Sequence, residues 1–156
     1  MFEIFRDKKI IVTGHTGFKG SWLAAFLSTY GCQIYGLSKD IPSNPSHYSL
    51  LNFTKKIKNY KVDITDQKKI KKIIHKIQPD FVFHLAAQSL VKTSYDDPVL
   101  TFKSNSIGTL NILESLRYLK KKCSVILVTS DKSYKNLEIK RGYKETDLLG
   151  GEDPYS

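Results

Sequence analysis

Three glycines fall at regular spacing in the run Gly14-His15-Thr16-Gly17-Phe18-Lys19-Gly20. Glycine backbone permits a tight turn, lets a phosphate approach the main chain, and lets a following helix pack closely on a strand. If a helix begins here, its free N–H groups and partial positive charge face that phosphate. The pattern gains its meaning from position: directly after a first strand it is the signature of dinucleotide binding. Lys19 does not turn it into a nucleoside-triphosphate loop, because the Gly-Lys-Ser/Thr order is absent.

A dinucleotide site also wants an acid at the end of the second strand, to grip the adenosine ribose. Ser38 holds that place, with Asp40 two residues on. A serine can hydrogen-bond a ribose hydroxyl but carries no charge to repel a 2′-phosphate. NAD is therefore the expected cofactor, with NADP less sharply excluded than an acid would make it. Asp63, followed by Ile64, closes the third strand. There it can meet the adenine edge or simply serve as a turn residue.

The elements that would position these groups alternate along the chain. Lys9 to Thr13 is a short apolar run ending at Gly14, as a buried parallel strand reads. Leu23, Phe26, Leu27 and Tyr30 keep helical spacing over a helix expected from about Gly20 to Tyr30, with Gly31 as its stop. Gln33–Leu37 reads as a second strand, 39–54 as a loop holding Pro42 and Pro45, and Ile57–Val62 as a third strand. Asp66 opens a second helix carrying Ile70, Ile73, Ile74 and Ile77, and Pro79 ends it. Phe81–Leu85 makes a fourth strand, Pro98 starts one long helix to about Leu119, and Ser124–Val128 makes a fifth strand. The remainder, to Ser156, reads as loop. Strands alternating with amphipathic helices predict an α/β fold with a doubly wound parallel sheet of Rossmann type. The expected strand order is 3-2-1-4-5, in one domain over 1–156.

Composition narrows the classes. Hydrophobic residues make up 40 %, which suits a packed core, and no apolar run approaches the roughly 18 residues of a membrane span. The charged start lacks the order of a secretory signal. Two cysteines, Cys32 and Cys123, form no framework and no metal or redox motif, which favours a reducing cytoplasm. The formal charge of +10 raises nucleic acid as a partner. The lysines (55, 56, 58, 61, 68, 69, 71, 72, 76 and 120 to 122) are scattered, however, and read as a solvated surface. No nucleic acid, membrane or metal is expected.

Three further segments carry a resemblance. They are His84-Leu85-Ala86-Ala87-Gln88 after the fourth strand, Asn105-x-x-Gly108-Thr109 in the long helix, and Thr129-Ser130-Asp131-Lys132-x-Tyr134 after the fifth strand. With the glycine run they resemble the extended short-chain dehydrogenase/reductase family. The stretch from Gly14 to Leu23, the pair Asp131-Lys132 and Gly151-x-Asp153-Pro154-Tyr155-Ser156 are most similar to its CDP-glucose 4,6-dehydratases.

That resemblance implies roles residue by residue. Leu85, Ala86, Ala87 and Gln88 would lie along the cofactor, and Asn105 would support the active-site hydrogen bonds. Ser130 would hydrogen-bond the sugar 4-hydroxyl beside Tyr155, the tyrosine of the family's Tyr-x-x-x-Lys pair. Asp131 matches a general acid. Lys132 stands where sister enzymes carry a glutamate base, and a lysine serves there only if burial or nearby cations favour its neutral form. The implied reaction converts CDP-glucose to CDP-4-dehydro-6-deoxyglucose, with NAD recycled. The paired lysine would fall past Ser156, and the sugar-nucleotide pocket mostly in a C-terminal part. The 156 residues are accordingly expected to bind NAD weakly or not at all, to be inactive alone, and to expose surface that the rest would cover. The full protein is expected to be a homo-oligomer. The alternatives are another sugar-nucleotide epimerase or dehydratase, and a non-catalytic NAD(P)-binding module.

Overall fold

A computed structural model describes residues 2–51 and 56–156. Lys55 and the last part of the 39–54 loop lie outside the described residues. Five strands, β1 (Lys9–Thr13), β2 (Gln33–Ser38), β3 (Ile57–Lys61), β4 (Phe81–His84) and β5 (Ser124–Leu127), form one parallel sheet. Its order is β3-β2-β1-β4-β5, the doubly wound order expected. Parallel register sets Thr13 opposite both Leu37 and His84, so the ends of β1, β2 and β4 lie level at one edge. That edge is where ligands of such sheets bind.

The central strand shows why its sequence reads as an unbroken apolar run. Ile10 and Val12 enter a cluster with Ala24, Leu27 and Ile34, whereas Ile11 enters another with Ile70, Ile74 and Ile112. Ile10, Ile11 and Val12 are each 0 % exposed. Helix α1 (Phe18–Ser28) covers the first face. Helices α3 (Gln67–Ile77) and α6 (Gly108–Leu116) cover the second. At the edge, β5 differs: Val125, Ile126, Leu127 and Val128 are all more than a third exposed, although their sequence is as apolar as β1.

Three boundaries depart from the sequence reading. Helix α1 begins at Phe18, two residues early, because Gly17 already takes the extended N-cap conformation. The 39–54 loop contains a single helical turn, α2 (His47–Leu50), capped by the Ser46 side chain on Ser49 N. The expected single helix from Pro98 is three pieces: α5 (Pro98–Phe102), one turn of π-helix (Lys103–Ile107), and α6. A short α4 (Val91–Asp96) precedes it, and Asp97 starts α5 by accepting Leu100 N at 2.8 Å with Pro98 next in line. Asp66 and Gln78 bound α3 as cap and left-handed stop.

The segment after β5 is not featureless either. Asp131–Ser133 forms a 3₁₀ turn, and the excursion beyond it closes through Lys135 N to Leu148 O and Gly150 N to Ser133 O, both 2.9 Å. A two-pronged ion pair, Arg141 to Asp147 at 2.7 and 2.8 Å, ties its middle. No helix among the described residues is long and apolar enough to cross a membrane, and no cluster of metal-ligating side chains is present among them.

Candidate functional site

The glycine run is shaped by backbone contact. Gly14 sits at φ +71°, and a side chain there would place Cβ 2.9 Å from Ala86 N. A Cβ on Gly20 would lie 2.2 Å from Gly14 O. Gly17 N turns back to Gly14 O at 3.0 Å, and Gly17 caps α1 without any side chain. The amides of Phe18, Lys19 and Gly20 meet no acceptor among the described residues. Three bare N–H groups at the start of an eleven-residue helix, over a cradle that a Cβ would fill, fit a diphosphate.

Beside the cradle a cavity of about 450 Å³ opens at the ends of β1, β2 and β3, walled by His15, Thr16, Ser38, Asp40, Tyr48 and Asn59. Its floor is already hydrogen-bonded. The His15 ring pairs with Ser38 Oγ at 2.9 Å and Asn59 Oδ1 at 2.7 Å, and Ser38 Oγ also receives Thr16 N. The hydroxyl expected to reach a ribose is thus engaged inside the protein. Burial, opposed by the Asn59 hydrogen bond, draws the His15 pKa below the usual imidazole value. A Cβ on Gly36 would stand 2.4 Å from this ring. Gly36→Ala is therefore expected to turn the imidazole out of the cavity wall and break its two hydrogen bonds, at a cost of about 1–3 kcal/mol. Urea unfolding would measure the loss, and native stability in the variant would show that the ring is not held as described.

The third-strand residues divide. Asp63 takes the turn role: Oδ1 accepts the amide and hydroxyl of Thr65 at 2.9 and 2.7 Å, and Lys39 lies 3.4 Å from Oδ2. It does not line the cavity. Ile64 is 7 % exposed in the core, against Gly108, and Asn111 holds its carbonyl at 3.0 Å. It is a core residue, a placement the sequence reading did not anticipate.

At the end of β4, Leu85 and Ala86 leave the sheet beside Gly14, and Ala87 is exposed. Asn105 lies in the π turn, and its amide grips the Gln88 backbone: Oδ1 accepts Gln88 N at 2.8 Å and Nδ2 donates to Gln88 O at 2.9 Å. The Gln88 side chain is spent on Leu90 and Thr101. Sequence reasoning passed over His84, Thr13, Thr109, Asn59 and Tyr48. For Thr13 and His84 the one signal was polarity at the end of an apolar strand; Thr109, Asn59 and Tyr48 gave none.

The residues matched to catalysis occupy two turns. Ser130 caps the Asp131–Ser133 turn, its Oγ accepting Lys132 N at 3.2 Å and donating to Asp131 at 3.3 Å. Tyr155 belongs to a turn built on Asp153, whose carboxylate accepts the amides of Tyr155 and Ser156. Asp153 is held below the usual carboxylate range by the Ser156 hydroxyl and, in smaller part, by the charge of Lys132, so the two turns are neighbours. No hydrogen bond joins the Tyr155 hydroxyl to Ser130, Asp131 or Lys132 among the described residues. Lys132 is exposed, without the burial a lysine base requires.

The buried histidines set a pH dependence. Burial holds His84 at about 4, far below the ordinary imidazole value. An unfolded chain protonates this ring below about pH 6.5, the folded chain only near 4, so the unfolded state binds more protons between those values. Stability is full above that window and falls as pH drops through it, by roughly 3 kcal/mol for His84. His15 adds loss of the same sign. Asp80, whose burial is outweighed by Lys121 and the Lys9 amide, adds loss only below the usual carboxylate range. Urea midpoints at about pH 7 and 4.5 should show this fall, and His84→Gln should flatten it.

Comparison with known proteins places this geometry. Residues 11–156 match the family described as GDP-mannose 4,6 dehydratase. The chain is 40 % identical to a CDP-glucose 4,6-dehydratase of Salmonella typhimurium, over 99 % of this chain and 43 % of the relative. It is 34 % identical to a CDP-paratose 2-epimerase of Salmonella typhi, over 89 % of this chain and 41 % of that protein. Among solved structures, a UDP-glucose 4-epimerase of Thermus thermophilus in complex with NAD superposes with a TM-score of 0.81 at 28 % identity, covering 94 % of this chain and 46 % of the other. The chain thus spans less than half the length of the proteins it matches.

Proposed function

Because the chain belongs to the GDP-mannose 4,6 dehydratase family, we propose that residues 1–156 are the NAD-binding part of a nucleotide-sugar 4,6-dehydratase that converts CDP-glucose to CDP-4-dehydro-6-deoxyglucose. The observation that carries the substrate is the 40 % identity to a CDP-glucose 4,6-dehydratase along 99 % of the chain. The cofactor rests on geometry. The bare amides of Phe18, Lys19 and Gly20 would hold the diphosphate, and the cavity beside His15 and Ser38 would take the adenosine end. Leu85, Ala86 and Ala87 would lie under the nicotinamide half.

Bound NAD supplies a hydride acceptor and donor and is restored at the end of each turnover. The chain's own residues move protons. Tyr155 takes the proton of the sugar 4-hydroxyl, which Ser130 holds. Once position 4 is a ketone, the C5 proton is acidic, and Lys132 removes it. Asp131 delivers a proton to the 6-hydroxyl, which leaves as water. For Lys132 to act, the sugar-nucleotide part of the protein must cover it, since here it stands in solvent. A cytoplasmic location accompanies this reading. So does self-association through the exposed apolar side chains Val99, Phe102, Leu110 and Leu113 on α5 and α6.

Incubation of the whole dehydratase, of which residues 1–156 are the NAD-binding part, with NAD and CDP-glucose, dTDP-glucose or GDP-mannose, followed by mass analysis, tests the proposal. Loss of one water from CDP-glucose is the expected result. The relatives include sugar-nucleotide epimerases, and that second reading predicts a product of unchanged mass. Binding of NAD with no change in any sugar would mark a non-catalytic module.

A further inference from the structure

Four residues, Thr13, His84, Asn105 and Thr109, close a ring of hydrogen bonds around the backbone of 85–88. Thr109 Oγ1 donates to Asn105 O at 2.7 Å, an oxygen that can only accept. With its proton spent, the Thr109 hydroxyl must accept from His84 Nε2, 3.0 Å away. The imidazole proton is therefore on Nε2, and Nδ1 carries a lone pair. Thr13 Oγ1, 2.7 Å from Nδ1, donates into it. The Thr13 oxygen is left with its lone pairs, and these receive the consecutive amides of Leu85 and Ala86, each at 3.1 Å. Asn105 completes the circuit with its two bonds to Gln88 N and O.

Only one direction of proton flow satisfies every member. With the proton on Nδ1, the Thr13 hydroxyl would have no acceptor and the bare Nε2 would face the lone pairs of Thr109. A doubly protonated ring would likewise orphan the Thr13 proton. Thr13 is 0 % and His84 3 % exposed, so water cannot repair either mismatch. The held segment has no slack, because Ala86 N already limits the space over Gly14 to less than a methyl group.

We propose that His84 is a positioning residue: as the Nε2–H tautomer it joins Thr13 to Thr109 and so fixes the backbone of 85–88 as the surface on which the dinucleotide lies. The part concerning the dinucleotide rests on the function proposed above; the ring itself does not.

One measurement on the native chain and two on variants test it. Long-range proton–nitrogen spectra of nitrogen-labelled histidine at about pH 7 should show His84 with a bare Nδ1 and a protonated Nε2. Thr109→Val should speed amide exchange at Leu85, Ala86 and Gln88 by about tenfold, leave Val12 unchanged, and be rescued by Thr109→Ser. In the whole dehydratase, NAD affinity should fall by about tenfold with the same substitution and return with serine. An Nδ1–H or doubly protonated His84 would overturn the proposal, as would exchange at native rates in Thr109→Val. A whole dehydratase that shows the ring but takes up no NAD would instead sink the cofactor reading, with the ring judged on spectra and exchange alone.

Discussion

In the whole dehydratase, Gly20→Ala should lower stability by about 3 kcal/mol or more and abolish NAD binding together. The added Cβ would stand 2.2 Å from Gly14 O, 2.8 Å from Gly14 C and 2.9 Å from His15 Cα. All three are backbone atoms, so no side-chain rotation relieves the contact. Alanine ordinarily favours a helix over glycine by about 1 kcal/mol, and the clash must outweigh that gain. Relief requires α1 to withdraw from the loop after β1. That movement opens the core around Ala24 and Leu27, both 0 % exposed, and carries the amides of Phe18, Lys19 and Gly20 away from the diphosphate position. Urea unfolding and NAD titration of one preparation read both effects. A variant as stable as native would show that the helix start is not packed on the loop. A variant that loses stability but keeps NAD would place the phosphates elsewhere.

In the dehydratase proposed, Tyr155→Phe should cut kcat by roughly 10²- to 10⁴-fold, with little change in the affinity for NAD or CDP-glucose. The phenyl ring fills nearly the same space and lacks only the hydroxyl that takes the 4-hydroxyl proton. In this chain Tyr155 makes its hydrogen bond through the backbone, Tyr155 N to Asp153 at 2.9 Å, and phenylalanine preserves it. Structure and chemistry can therefore be separated at this position. Ser130→Ala should lower kcat less, and it also removes the cap on Lys132 N. If Tyr155→Phe turns over within about twofold of native, the tyrosine is only a turn residue and the proton goes elsewhere.

Much of the scaffold is determined by sequence alone. β1 is apolar at every interior position because the sheet is covered on both faces, and a two-sided strand leaves an unbroken run. Helix α3 is legible from its isoleucines because one face is core and the other solvent, with Asp66 and Pro79 marking its ends. Gly14 and Gly20 could be read because backbone crowding leaves no room for a Cβ at either, while a Cβ on Gly17 would meet Gly14 O at 3.3 Å. These are local signals, and each is complete within a dozen residues.

What tertiary structure alone decided is which polar groups are already spoken for. Ser38 looks free in sequence, yet its hydroxyl is held by His15, 23 positions away. Asn105 reads as a polar residue within a helix, and only the π turn aims its amide at Gln88, 17 positions back. The tautomer of His84 depends on Thr109 and Thr13, which only the pairing of β1 with β4 and the packing of α6 bring near. β5 reads as a core strand, but its exposure depends on what packs over it. Hydrophobic pattern records burial, which every residue of an element shares in a period. A hydrogen bond joins two particular atoms, and no periodicity in the chain encodes its partner.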